Sequence, residues 1–185
     1  MQFYYLSPCA RTSAYWLTDK HIEDSVVEVR RLLCTAAQLV AAQTSKFLLN
    51  PSNANEPHVQ WLLKSAYNFQ WALSYYNTIC EISEYVFKNK HNTYNLQNEL
   101  ARHLYLFPDE DPCPPPCLFG TEFFLSTTEK SYRNHYKQIH ARAGAYHKMI
   151  TPWWIGFSRR LPVVRQAKGP VHHRNLEEDP FADLR

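Results

Sequence analysis

Between Asp19 and Thr44 the apolar residues Ile22, Val26, Val29, Leu33, Ala36, Ala37 and Val40 keep to one side of a 3.6-residue period. That spacing predicts an amphipathic α-helix, because residues at i, i+3, i+4 and i+7 share a face. No Gly or Pro interrupts the run, and Thr18 or Asp19 is placed to cap its start. Upstream, the aromatic stretch Gln2–Leu6 is broken by Ser7-Pro8, and a short helix is predicted over 9–17. Downstream, Asn50-Pro51-Ser52-Asn53-Ala54-Asn55 has the composition of a turn.

One long helix is predicted over 56–88, with two apolar stripes side by side. The first is Trp61, Ala72, Tyr75, Ile79, Ile82 and Val86, and the second is Leu62, Ala66, Phe69, Leu73, Tyr76 and Cys80. A helix apolar over so much of its circumference belongs at the centre of a bundle. Asn68 lies in line with Trp61, Ser65 and Tyr75. A buried amide without partners costs ~1–3 kcal/mol, so Asn68 reads as a structural polar bridge. A weaker helix follows over 94–106, then an acidic, proline-rich loop over 108–116, then a helix over 126–150 ended by Pro152-Trp153-Trp154. The last thirty residues carry no periodicity and form a basic arm with an acidic end, Glu177-Glu178-Asp179. Nothing reads as a strand or as an internal repeat. The expectation is an all-α, single-domain helical bundle over residues 1–156, with a long central helix and an irregular tail over 157–185.

Composition narrows the function classes. The 185 residues are 45% hydrophobic and 20% charged, too apolar for a disordered chain. No run of ~18 apolar residues marks a membrane span, and the first twenty residues hold no apolar signal core. With 4 Gly there is no G-x-G-x-x-G and no P-loop, which excludes the nucleotide-dependent enzymes built on them. The 5 Cys are an odd number and predict free thiols in a reducing, cytoplasmic compartment. Cys113 and Cys117 flank three prolines, and no second pair completes a zinc site, so neither metal nor cofactor is expected. Net charge is +3, but its distribution is uneven: from Glu129 to Arg174 ten basic residues face one acid. Such a segment suits a polyanionic partner, or a solvated basic face with none.

Two helical faces carry candidate chemistry. On the first, His21, Ser25 and Glu28 line up at i, i+4 and i+7, beside a second line of Asp24, Glu28 and Arg31. A carboxylate near an imidazole and a guanidinium can serve as general acid or base. The same residues also describe an ordinary solvated face of ion pairs. On the helix predicted over 126–150, Tyr132, Tyr136, Ile139, Ala143, Tyr146 and Ile150 form an apolar stripe. Beside it run Arg133, Lys137, His140 and His147, with Lys130 and Lys148 towards the ends. Cations interleaved with aromatics suit nucleic acid, where phosphates take the charge and bases take the rings. A tyrosine core stripe with a wet basic back accounts for the same pattern. Trp153-Trp154 reads as a lid on the core rather than a wedge.

Several of these segments together resemble the phage and bacterial pyrimidine-dimer DNA glycosylase (endonuclease V-like) family. They are Phe3-Tyr4-Tyr5-Leu6, Asp19-Lys20-His21-Ile22, and Ser65 to Leu73 with Tyr67-Asn68-Phe69-Gln70-Trp71. Tyr132-Arg133 through Tyr136-Lys137 and then Pro152-Trp153-Trp154 complete the set, which spans about residues 2 to 156. The resemblance implies a compact all-α enzyme that cuts the glycosidic bond of a damaged pyrimidine and then nicks the abasic strand. In that family the nucleophile is the N-terminal amine, and a helical glutamate follows an L-x-D-x-H pattern. Here Leu17-Thr18-Asp19-Lys20-His21 carries the pattern, Glu28 falls at the glutamate and Arg31 at a phosphate-binding arginine. The bulky Gln2 would leave Met1 in place, so the Met1 amine becomes the nucleophile, and Lys20 reads as a surface residue. Phe3 and Tyr4 stand where the family has an arginine, Val27 replaces a basic residue, and the spacer before Asp19 is longer.

The function expected from residues and resemblance is a monomeric DNA glycosylase with abasic-site lyase activity on double-stranded DNA. Glu28, His21 and Met1 form its catalytic group, and Arg30, Arg31, Arg133, Lys137, His140 and Lys148 its DNA contacts. Its place is the cytoplasm, that of the host for a viral source. Two other readings fit the same residues. One is a non-catalytic member of the fold that binds nucleic acid or a nucleotide-like ligand. The other is a viral factor that contacts a host protein through the Arg159–Arg174 arm.

Overall fold

The computed structural model describes residues 3–41, 53–89, 94–140, 146 and 148–155. Its described part is helical and holds no strand, in agreement with the all-α expectation. The helices are α1 (Ala10–Tyr15), α2 (Asp19–Ala41), α3 (Pro57–Leu63), α4 (Ala66–Phe87), α5 (Tyr94–Arg102) and α6 (Thr128–Ile139). Short 3-10 turns cover Leu104–Leu106, Thr121–Phe123 and Trp153–Ile155. The tail over 157–185 lies outside the described residues.

Helix α4 is the centre: α1, α2, α3 and α5 all pack on it. The α2 stripe is buried as its spacing predicts, with Ile22, Val26, Val29, Leu33, Ala36 and Ala37 in the core and Val40 packed against it. The extended N-terminal segment threads the same core. Phe3 meets the rings of His58, Trp61, Trp71 and Tyr75 at 4.9–5.7 Å. Ser13 ties this segment down, its Oγ accepting from Leu6 N at 2.8 Å and donating to Tyr4 O at 2.9 Å. Trp154 closes the bundle edge-on to Trp16 at 5.9 Å, whereas Trp153 stays 75% exposed.

Three expected boundaries move. The helix predicted over 56–88 is two helices, broken at Lys64-Ser65. Ser65 is extended (φ −156°, ψ 141°) and caps α4, its Oγ accepting the Tyr67 N–H at 3.1 Å. The proline-rich loop holds the break open, because Ala66 N donates to Pro108 O at 2.8 Å and Ser65 Oγ to Glu110 O at 2.5 Å. Asn68 then bridges the gap as a polar link. Its Nδ2 donates to Trp61 O at 3.0 Å and to Cys113 Sγ at 3.3 Å, and its Oδ1 accepts from Cys113 N at 3.1 Å.

The helix predicted over 94–106 gives way to a 3-10 turn after Arg102. The helix predicted over 126–150 stops at Ile139. Beyond it, the N–H groups of Lys148 and Met149 serve the Asp19 carboxylate at 2.9 and 3.0 Å instead of a helical ladder. Ala143 and His147 of the expected stripes lie outside the described residues. No described helix is long and apolar enough to cross a membrane.

Candidate functional site

The two sequence-selected faces meet at one point, the pair His21 and His140. Their rings are 4.8 Å apart and perpendicular. His21, at the start of α2, is 5% exposed. Its Nδ1 is hydrogen-bonded to Thr18 Oγ1 and to Tyr136 OH, both at 2.8 Å, and the Tyr136 hydroxyl accepts the Thr18 N–H at 2.7 Å. Burial, with His140 adding to it, pushes the His21 imidazole down to about 4, so it is neutral at physiological pH.

Glu28 is held elsewhere, at the junction of α2 and α3. Arg31 Nη2 contacts Glu28 Oε1 at 2.8 Å and Glu56 Oε2 at 3.1 Å. Glu56 precedes Pro57 at the start of α3, so this guanidinium ties one helix to the next. Its hydrogen bond to Glu28 raises the Arg31 pKa, and both carboxylates hold the charge in place. Arg30 is half-buried beside Tyr76 and Cys80. Met1 lies outside the described residues.

The basic residues of α6 divide by direction. Arg133 turns inward: Nε donates to Leu6 O at 2.7 Å, Nη2 pairs with Glu129, and the guanidinium lies 4.7 Å from the Trp16 ring. Trp154 and Trp153 complete the surround at 5.6 and 5.9 Å. Desolvation lowers the Arg133 pKa against the pull of Glu129. Lys130 and Lys137 are exposed. Lys148 is exposed too, but away along the bundle, with Nζ 4.8 Å from the Phe87 ring.

A cleft of about 330 Å³ opens beside this face. Three histidines line it: His58 from α3, His135 from α6 and His140 at the end of α6. Phe3, Tyr4, Phe119 and Tyr132 supply most of the remaining wall, and among the described residues no Asp, Glu, Lys or Arg takes part. Phe119 lies flat on His135, with ring centres 4.5 Å apart and an angle of 6°, and Tyr132 stands edge-on to Phe119 at 5.0 Å. Tyr132 OH donates to Pro116 O at 2.7 Å, so its oxygen accepts from His58 Nε2 at 3.1 Å and fixes the proton on that nitrogen. Burial lowers His58 to about 4, and it lowers His135 and His140 as well. The neighbouring His135 and the Lys20 ammonium depress His140 further.

At neutral pH the cleft therefore presents neutral imidazoles, with His58 Nε2 already bonded to the Tyr132 hydroxyl and His140 Nε2 3.4 Å from the Tyr4 hydroxyl. Its volume is at the small end of the ~300–1,000 Å³ usual for ligand pockets. Ring surfaces and imidazole nitrogens, with no charged side chain in the wall among the described residues, suit a neutral, planar, heteroaromatic ligand. Of the described residues expected to act in catalysis or DNA binding, only His140 lines this cleft; His21 stands directly behind it, and Glu28, Arg30, Arg31 and Lys148 do not line it. Tyr4, His58, Phe119, Tyr132 and His135 were not selected as site residues. Among the described residues no group of His, Cys, Asp and Glu is arranged to hold a metal.

Compared with protein-family models, curated proteins and solved structures, the chain gives no match. The glycosylase resemblance thus stands on the residues quoted for it.

Proposed function

We propose that the protein binds double-stranded DNA and receives a base, turned out of the helix, in the cleft between Phe119 and the end of α6. The observation that carries this reading is a ring-lined cleft, without a charged side chain among its described residues, beside a helix whose exposed Lys130 and Lys137 face water. Turning a base out costs a few kcal/mol, least at damaged sites, and stacking against aromatic rings offsets it. Lysines outside the cleft meet the phosphates that an uncharged cavity would reject. One chain supplies the whole cleft, so a monomer suffices, and a cytoplasmic setting suits the free thiols.

In its enzymatic form the reading is the DNA glycosylase with lyase activity that the resemblance implies. The Met1 amine attacks the anomeric carbon of the sugar, the glycosidic bond breaks and the base leaves, and Glu28 stabilises the developing charge and moves protons. An α-amine of pKa ~7.7–8.0 is partly neutral at physiological pH, as such a nucleophile requires. A second reading is binding without catalysis. The double engagement of Arg31 favours it, because Glu28 is spent on an ion pair that joins α2 to α3.

Borohydride added to the protein on duplex DNA with one abasic site separates these readings. Wild type, Glu28→Gln and an N-terminally blocked form are compared. A covalent adduct lost on blocking is expected of the glycosylase. DNA binding with no adduct leaves the binding protein. Absence of DNA binding by wild type would overturn both.

A further inference from the structure

The loop that closes one wall of the cleft carries large apolar side chains pointing into water. Leu118 is 46% exposed, Phe124 47% and Leu125 55%. Leu118 and Phe119 belong to the cleft wall itself, so the apolar edge and the cavity are continuous.

The backbone of this loop is fixed rather than free. Leu125 N donates to Ser131 Oγ at 2.8 Å, and Asn134 Nδ2 donates to Phe123 O at 3.1 Å. Phe119, Phe123 and His135 form a ring cluster beneath it, with Phe123 edge-on to His135 at 4.8 Å. Glu122, the loop's acid, folds over Gly120, where a β-carbon would meet its carboxylate. A side chain at 120 would displace that carboxylate.

The anchoring residue Asn134 sits between two cations on α6. Lys130, Asn134 and Lys137 are spaced i, i+4 and i+7 and share one helical face. Lys130 Nζ also reaches Ser126 Oγ at 3.4 Å, next to Leu125. A rigid apolar edge is thus fastened along a line of exposed lysines, with a base-sized cavity behind it.

We propose that Leu118, Phe124 and Leu125 form a wedge that enters the base stack of duplex DNA and fills the gap left by the base held in the cleft. This rests on the DNA-binding reading above and adds to it the surface that opens the helix. Apolar side chains inserted at a base step unstack it and bend the duplex, while nearby cations hold the flanking phosphates. The cavity and the wedge then divide the work: the neutral rings keep the base, and the wedge keeps the stack from closing.

The test uses the full chain and a duplex with 2-aminopurine beside an abasic or mismatched site. Binding is followed by anisotropy and unstacking by 2-aminopurine fluorescence. Wild type is compared with Phe124→Ser, Leu118→Ser and Lys137→Gln, all exposed positions, with folding checked by circular dichroism. Wild type is expected to raise the fluorescence on binding. The Ser variants should lose that rise and bind duplex about ten-fold more weakly with an unchanged salt slope. Lys137→Gln should keep the rise and reduce the salt slope by about one.

If the Ser variants bind and unstack as wild type does, the wedge is wrong and the DNA-binding reading survives. If wild type binds no DNA, both fall. If wild type is a dimer that the Phe124→Ser change dissociates, the patch is an interface between copies and the wedge is overturned.

Discussion

The hydroxyl of Tyr136 on α6 stands 2.8 Å from Nδ1 of His21 at the start of α2. It also accepts the Thr18 N–H at 2.7 Å, so one phenol serves the opening turn of a helix 115 to 118 residues away in the chain. Burial raises the Tyr136 pKa to about 12, which keeps the group protonated and able to donate. Tyr136→Phe retains the ring and removes this link. The Thr18 N–H is left buried, and the expected cost is roughly 1–3 kcal/mol. Urea unfolding should show a lower midpoint with an unchanged slope. A midpoint equal to wild type would mean that the bond does not fasten α6 to α2.

Acid should destabilise the protein before its carboxylates titrate. His21 and His58 have folded pKa values of about 4 against ~6.5 in the unfolded chain. Between these values the unfolded state binds more protons, so stability falls as pH drops from ~6.5 towards 4. Each group contributes on the order of 3 kcal/mol to that loss. His135 and His140, also lowered, act in the same direction. His58 faces Phe3 and the Tyr132 hydroxyl, and His21 faces Tyr4, Tyr136 and His140. His58→Gln keeps a donor towards Tyr132 and removes the titration. Urea midpoints at pH 7.5 and pH 5 should therefore lie closer together in that variant than in wild type.

The legible parts of the fold are those set by local repetition. The α2 stripe is an uninterrupted period of apolar residues, and its burial follows. The break at Ser65 is not local: serine is tolerated inside helices, and its role as a cap depends on the Pro108 and Glu110 carbonyls, more than forty residues away. Past the end of α6, Asp19 takes the N–H groups of Lys148 and Met149, again a contact between distant parts of the chain. In the sequence, Arg133 and Lys137 are equal members of one basic stripe. A planar guanidinium can stack on indole while donating to a carbonyl, and Arg133 turns into the bundle to do so. The cleft was illegible because residues near 3, 58, 119 and 135 assemble it. No periodicity connects those segments.

Asn68 offers a test of the bridge across the α3–α4 break. Leucine has a similar volume and no polar atoms, so Asn68→Leu leaves Cys113 N without its partner and Trp61 O with the Lys64 N–H at 3.3 Å. Each buried group left unpaired costs ~1–3 kcal/mol, less where water can reach it. The Cys113 thiol also loses its contact with the amide. The variant should unfold at lower urea and expose Cys113 to a disulfide reagent faster than wild type, with Cys9→Ser and Cys117→Ser in both backgrounds because Cys9 is exposed and Cys117 half-buried. Equal labelling rates would show that the proline-rich loop is held by other bonds.

Arg133 and Lys137 belong to the same sequence stripe but should separate cleanly in two measurements. Arg133→Lys keeps the charge and loses the planar stack on Trp16 together with the bond to Leu6 O. A cation–π contact is worth ~0.5–2 kcal/mol, and the bond to a buried carbonyl adds ~1 kcal/mol. The expected result is destabilisation on the order of 2 kcal/mol, with no change in the salt dependence of DNA binding. Lys137→Gln removes an exposed cation and should leave the urea midpoint within ~0.5 kcal/mol of wild type. Its DNA affinity should fall for every sequence alike, and the logarithmic salt slope should drop by about one, the signature of one lost phosphate contact. The opposite pattern, a salt slope that depends on Arg133 and not on Lys137, would place the phosphate track along the tryptophan surround instead of the outer face of α6.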